Sequence, residues 1–589
     1  MNGDWPGKRG YCSLVTCLGL LVNAGMSHAQ DDDVELRRLA EQQSRQIEQQ
    51  RQQLEKLKQR VEAVEAASRD SANTGACAGT LDDNSVKKLV SQYLDEQDQV
   101  KKEVDAKAKK QAETEGYRIG TMLGIAGKFD ENGQPWFSSP NKDFTIHIGA
   151  WMQYDNVFWD QSTSLRAPPG ARPGPKQGVA SGVATGGIGD LEDGTFFRRI
   201  RPFVEGTFWE NYEYRLVLGL ENMQFSTGGI NDFWVGVNSV PVIGTIRVGH
   251  LRNAMGFEAG MTVSERAGTL MERSSYSEAI ERNENFVTGI WFHNHFFDER
   301  ATYAATAFRS DNAQATGAFF GDGQWGAQGR LTFLPIYESN GRDWLHLGIS
   351  GGWRNGQNNI ATSPYRTFQL RARPELRDDD PAGSPAGAQI IPNADSNRMV
   401  DTGPIAAHDQ LLLGLEMCWV RGPFSIQAEY GWTWLDRAFG VAPTGRTLNP
   451  AIVPESDYVF NGGYIQLAYT FTGENRAYDR PRGGLSRYYF NGGPYTPAWL
   501  VRDENGKLSW GWGAWELAGR FSYIDLNDGS GLNRIQGGIM EGFTVGLNWY
   551  LNNNLRCLFD WVYDHRDDVP TGTIPGWTSG FGMRAQLSF

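Results

Sequence analysis

The final seven residues, MRAQLSF, alternate. Met583, Ala585, Leu587 and Phe589 fall on one side at period two, and Arg584, Gln586 and Ser588 on the other. That spacing predicts a strand with one apolar and one polar face. The same alternation begins near residue 143 and recurs to the end of the chain. Seventeen segments carry it, at 144–159, 195–209, 212–223, 231–240, 245–252, 287–297, 301–310, 325–335, 344–355, 365–373, 409–420, 424–435, 458–471, 513–525, 539–551, 555–565 and 577–589. They cluster near the roughly 9–11 residues that a tilted strand needs to cross a bilayer. In 424–435, Phe424, Ile426, Ala428, Tyr430 and Trp432 oppose Ser425, Gln427, Glu429 and Thr433. In 513–525, Trp515, Leu517, Phe521 and Tyr523 oppose Glu516, Arg520 and Ser522. A soluble sandwich also alternates, but Trp and Tyr repeated on the apolar face suit a face that meets lipid.

Connection lengths sharpen the count. Bacterial barrels have an even number of strands, with short periplasmic turns and longer external loops. Short turns fall at 210–212, 241–244, 298–300, 336–343, 421–423 and 552–554. Short and long connections alternate only if 365–373 does not span. The expectation is a 16-stranded antiparallel transmembrane β-barrel over 143–589, with 356–408 as one long external or inward-folded loop. The 472–512 stretch stands out as a long connection on the periplasmic side. A terminal Phe589 fits a last strand that presents an aromatic to the barrel-assembly machinery.

The first 142 residues differ in kind. Lys8 and Arg9, the apolar run YCSLVTCLGLLVNAGM and the SHA exit at Ser27–Ala29 read as an export signal over 1–29. In 30–80, Ala40, Ile47, Leu54 and Val61 repeat every seven residues, with Leu36, Leu57 and Val64 at d positions and Gln43 and Gln50 as polar interruptions. This predicts a short periplasmic coiled coil and a flexible linker containing Cys77. Residues 81–142 read as a helical spacer. No window after residue 30 is apolar enough for a spanning helix.

Charge adds a regional bias. From 117 to the end the chain holds 35 Arg and four Lys, yet 49 acidic residues leave that portion at a net charge of −10. The Arg guanidinium is a planar fork suited to phosphate and carboxylate. Arg199, Arg201, Arg215, Arg247, Arg330, Arg520, Arg556 and Arg584 all oppose apolar stripes and are expected to line a lumen. Arg199 and Arg201 would sit about 6.6 Å apart along one strand. Two readings stand side by side: a stepped track for anions, or wall reinforcement through pairing with Glu205, Glu213, Glu221, Glu429 and Glu516.

The stretches IRVGHLRNAMGFE, TLMERSSY, TFTGENRAYDRPRGG and GAWELAGRFSYIDLNDG, with GFTVGLNWYLNNNLR, together resemble the phosphate-selective porin O and P family. The resemblance implies a trimeric outer-membrane barrel that passes inorganic anions, phosphate among them. It also implies a third external loop, here about 253–286, folded inside to narrow the pore. Arg266 matches the basic position on that loop. Residues 253–285 nevertheless hold six Glu against three Arg, which opposes anion preference. Two alternatives are a general diffusion porin and an envelope tether acting through the coiled coil. The histidines are scattered, so no catalytic set, metal site, cofactor or nucleic-acid partner is expected. His293 and His295 share a strand face and read as structural.

Overall fold

The computed structural model describes residues 126–589 apart from 130–133, 140–141, 167–185, 221–229, 262–267, 282–285, 310–324, 356, 359–365, 378–397, 404, 437–456, 492–498, 503–505, 532–533 and 570–572. The export signal, the heptads, Cys77, most of the 81–142 spacer and Arg266 lie outside the described residues.

Sixteen antiparallel strands form one sheet. They are β1 (Thr145–Gln161), β2 (Gly194–Phe208), β3 (Tyr212–Leu218), β4 (Ile230–Val240), β5 (Gly244–Arg252), β6 (Phe286–Phe296), β7 (Ala301–Arg309) and β8 (Trp325–Glu338), then β9 (Asp343–Asn355), β10 (Asp409–Arg421), β11 (Phe424–Asp436), β12 (Tyr458–Thr470), β13 (Ala514–Asp528), β14 (Ile535–Tyr550), β15 (Leu555–Asp567) and β16 (Gly576–Ser588). Each pairs with the next, and β16 closes the ring on β1 from Thr578 opposite Gln161 to Ser588 opposite Trp151. The Phe589 N–H donates to the Ala150 carbonyl at 3.0 Å, and the Phe589 carbonyl accepts from Ala150 at 2.9 Å. Closure removes every open edge among these strands, as a sheet surrounded by lipid requires.

The period-two faces sort as the sequence predicts. Leu415, Tyr430, Leu467, Leu517, Phe543, Trp561 and Phe581 are exposed, while Gln427, Glu429, Gln466, Arg520 and Thr544 are buried. Apolar outside and polar inside is the inversion expected of a barrel solvated by hydrocarbon. Trp209, Tyr212, Phe297, Phe471 and Trp512 are exposed at the short-turn end, where an aromatic girdle belongs. The β2–β3 turn is tight enough to put Trp209 and Glu210 in the left-handed region, at φ 48° and 62°.

Two segments depart from expectation, and a third, 365–373, conforms to it. Residues 126–129 pair with 135–138, and the second of these pairs with the start of β1, Trp136 opposite His147. The end of the expected helical spacer is therefore a β-hairpin that extends the sheet before 143. The 365–373 segment does not span; it contributes only Arg366–Phe368 and Arg371–Ala372 to small pairings within the 356–408 loop. The 471–513 connection also folds inward, with hairpins at Arg476–Asp479/Gly484–Phe490 and Trp499–Arg502/Leu508–Trp510. Its Leu485 packs against the inward-facing Leu334, Trp344, Cys418 and Val420.

Candidate functional site

A loop inside a barrel must pair its backbone polar groups with something other than a sheet. In loop 3, residues 253–285, inward side chains do this. The N–H groups of Phe257 and Glu258 donate to the two oxygens of Glu429 on β11, at 2.5 and 3.0 Å. The Met271 N–H donates to Asp560 at 2.7 Å. The carbonyls of Gly268, Thr269 and Glu272 accept from Arg556, Asn548 and Arg520 at 2.8, 2.6 and 3.1 Å, and that of Met271 accepts from Arg584. Gly256, at φ 82°, lets the loop pass the Glu281 carboxylate, which a Cβ would meet at 2.6 Å.

The 356–408 loop and the 471–513 insert fill further space. The Glu375 carboxylate accepts from Arg520 at 2.6 and 2.9 Å, Thr544 at 2.9 Å and the Ser275 N–H at 2.8 Å. From the insert, the Gly483 carbonyl accepts from Arg330 at 2.8 Å, and Tyr478 meets His346 at 2.7 Å. Arg330 also grips Glu416 with both arms, at 2.7 and 3.2 Å. Arg584 does the same to Asp155 at 2.7 and 2.6 Å and reaches Glu272 at 2.7 Å. This half of the lumen is packed.

Packing decides what the loop's acids carry. Burial alone would raise the Glu272 carboxyl, but Arg198, Arg199, Arg584 and Arg377 hold it well below its usual range. Burial raises Glu258 despite Arg520 at 3.4 Å. Burial, with Glu429, Glu416 and Glu258 nearby, raises Glu281 well above the usual range. Glu258 and Glu281 differ from Glu272 because no comparable ring of guanidinium groups surrounds them.

The other half stays open. A cavity of about 750 Å³ lies along inward positions of β1–β6, bounded by Trp151, Arg201, Arg215, Asp232, Trp234, Arg247 and Trp291, together with Arg252, Phe286 and the insert's Arg482. Arg215 pairs with Glu205 at 2.8 Å and Asp232 at 3.4 Å. Arg247 pairs with Glu213 at 2.6 Å and lies against Trp234 and Trp291, at 4.2 and 4.7 Å from their ring centroids. Arg201 lies 6.0 Å from the Trp151 ring centroid, and Arg252 lies 5.0 Å from that of Phe286. A smaller cavity of about 420 Å³ lies between loop 3 and the insert, lined by Arg199, Arg273 and Arg476 with Glu258, Glu272, Gln427 and Gln466.

The sequence candidates thus divide. Arg201, Arg215 and Arg247 border the larger cavity and Arg199 the smaller one, whereas Arg330, Arg520, Arg556 and Arg584 hold the packed half. Of the acids expected to pair with arginine, Glu205 and Glu213 do. Glu429 instead holds loop 3, and Glu516 accepts from Tyr489, Asn548 and Tyr550. Other basic residues were missed, Arg198, Arg252 and Arg482 among them. Period two puts Arg198 outside, but the register shift opposite Gln153/Tyr154 is a bulge; it buries Arg198 against Glu272 at 2.9 Å. Arg252 ends a strand, and Arg482 sits in the connection read as periplasmic; its RPRGG setting was the available signal.

An apolar outer band around a polar lumen narrowed by inward-folded segments defines an outer-membrane porin, a channel and not an enzyme. Residues 184–589 match the family described as phosphate-selective porin O and P, and the chain belongs to it. Porin O of Pseudomonas aeruginosa is 25% identical over 428 residues, spanning 68% of this chain and 83% of that protein. An uncharacterized protein of Caulobacter vibrioides is 24% identical over 402 residues, 67% of this chain and 68% of the other. Among solved structures, the outer membrane channel DcaP of Acinetobacter baumannii aligns over 77% of this chain and 99% of its own at 9% identity, TM-score 0.38. OmpT of Vibrio cholerae aligns over 76% and 98% at 10% identity, TM-score 0.38.

Proposed function

We propose that the barrel is a diffusion channel biased towards anions, inorganic phosphate among them, with Arg201, Arg215 and Arg247 lining its open passage. One observation carries this reading: among the described residues bordering the larger cavity, five Arg face one Asp. Counting Glu205 and Glu213 as well still leaves guanidinium groups in the majority. The barrel portion is acidic as a whole, but much of that acid is spent inside. Glu272 is surrounded by arginines, and burial favours the neutral form of Glu258 and Glu281. Loop 3 therefore opposes anions less than its composition suggests. Several weak sites in series favour conduction over trapping, since an ion must leave as easily as it enters.

A general diffusion porin is the second reading, favoured by the ion pairs that partly neutralise Arg215 and Arg247. In the same proposal, Arg266 adds a basic group to loop 3. Three barrels associate through their walls, and the heptads near 40–64 join on the periplasmic side. The signal is cleaved after Ala29, and Phe589 is read by the assembly machinery. The reversal potential of purified pores in a salt gradient tests the ion preference. Anion preference that weakens in Arg201→Glu is expected, and cation preference in the wild type would reject it.

A further inference from the structure

We infer that the larger cavity recognises anions carrying a flat apolar body, such as aryl phosphates and aryl carboxylates, over equally charged anions without one. The inference rests on the anion-biased reading above and names a substrate class for it. Its starting point is a departure from the barrel's own pattern. A water-filled barrel turns polar side chains inward, and most inward positions here comply. Along this cavity, Trp151, Trp234 and Trp291 turn inward from β1, β4 and β6, and Phe286, at the very start of β6, borders its end. Phe233 and Val235, the neighbours of Trp234, are 57% and 53% exposed on the outer face, so the indole of Trp234 belongs to the lumen.

Wall packing accounts for Trp151 and Trp291, which are 3% and 4% exposed. Trp234 packs in part against the cluster of Leu251 and Trp291, and Phe286 stacks on His250, yet both stay only half-buried and border the open space. Passage of small hydrated ions makes no use of ring edges there. A ligand with both a ring and an anionic group does. Guanidinium planes stack on aromatic faces while their N–H edges bind carboxylate or phosphate. Here Arg247 lies on Trp234 in the wall, and Arg252 lies on Phe286 at the strand ends that border the cavity, so a ring meets a fork at two places around it.

The test is single-channel recording from the full-length protein, with block by phenyl phosphate compared with block by methyl phosphate at a pH where both are dianions. Phenyl phosphate is expected to block the wild type at a concentration about fivefold lower, the scale of one aromatic contact. Trp234→Ala should bring that ratio near one, and Trp234→Phe should keep most of it. If Trp234→Ala does not assemble, Phe286→Leu carries the same comparison and should lower the ratio. Equal block of an anion-preferring wild type overturns the inference alone, as does a ratio that survives both truncations. Cation preference in the wild type overturns the reading beneath it, and the inference with it.

Discussion

Arg520 and Arg247 occupy equivalent inward positions on their strands, and both touch carboxylates. Their surroundings differ. The side chains of Arg330 and Arg520 are 1% exposed, whereas those of Arg215 and Arg247 are 11% and 16% exposed. Against the first pair fold loop 3, the 356–408 loop and the 471–513 insert. Beside the second pair a cavity is left, which the insert's Arg482 and loop 3's Gly260 border without filling. An inward arginine in a barrel is therefore either a structural clamp or part of a channel wall. The strand that carries it does not decide which; what folds in against it does.

The largest effect should come from breaking a clamp. Arg520→Leu leaves Glu375 buried without its main partner, and removing one member of a buried pair costs about 3–5 kcal/mol. Heat-modifiability on gels and the yield of folded protein in detergent should both fall sharply. Arg215→Ala in the open half should cost about 1 kcal/mol or less, because its partners are nearer water. Equal losses from the two would erase the distinction between the halves.

A moderate effect should follow from Glu281. Its raised carboxyl pKa means that the folded protein holds a proton that the unfolded chain releases. Stability contributed this way is complete below the unfolded pKa and is lost as pH rises through the folded one. Glu281→Gln keeps an oxygen to accept from Tyr276, now at 3.1 Å, and removes the titration. Thermal unfolding in detergent should show the variant gaining on the wild type as pH rises from mildly acid to alkaline. A constant difference across that range would mean that the carboxyl does not titrate. Glu375 should behave oppositely: Arg520 overrides the effect of burial and holds it below its usual range, so its contribution is lost on acidification. The smallest effect should be that of Lys507→Ala, since Lys507 is exposed and outside the barrel strands; conductance and reversal potential should not move.

The barrel was legible because period-two alternation and turn length are local signals that a closed sheet obeys strand after strand. Rejecting 365–373 worked for the same reason: parity is a property of the whole ring. The inward path of 471–513 was harder to see, because its hairpins are short and its length alone suggests an excursion on the periplasmic side. The available clue lay elsewhere. Leu334, Trp344, Cys418 and Val420 are apolar at inward positions, and a lumen wall that is apolar in one patch needs a cover. Arg198 was out of reach, since a bulge changes which face a residue takes and leaves no mark in the alternation. The split among the arginines depends on long-range folding of loops, which period-two reasoning does not address.

The reversal potential of single pores in a salt gradient, wild type beside Arg201→Glu and Lys507→Ala, tests the central claim most directly. The wild type and Lys507→Ala should prefer anions equally, and Arg201→Glu should lose or reverse that preference while still inserting as a folded barrel. A wild-type pore that prefers cations, or an Arg201→Glu pore with an unmoved reversal potential, would contradict the account and leave the open-half arginines as wall reinforcement.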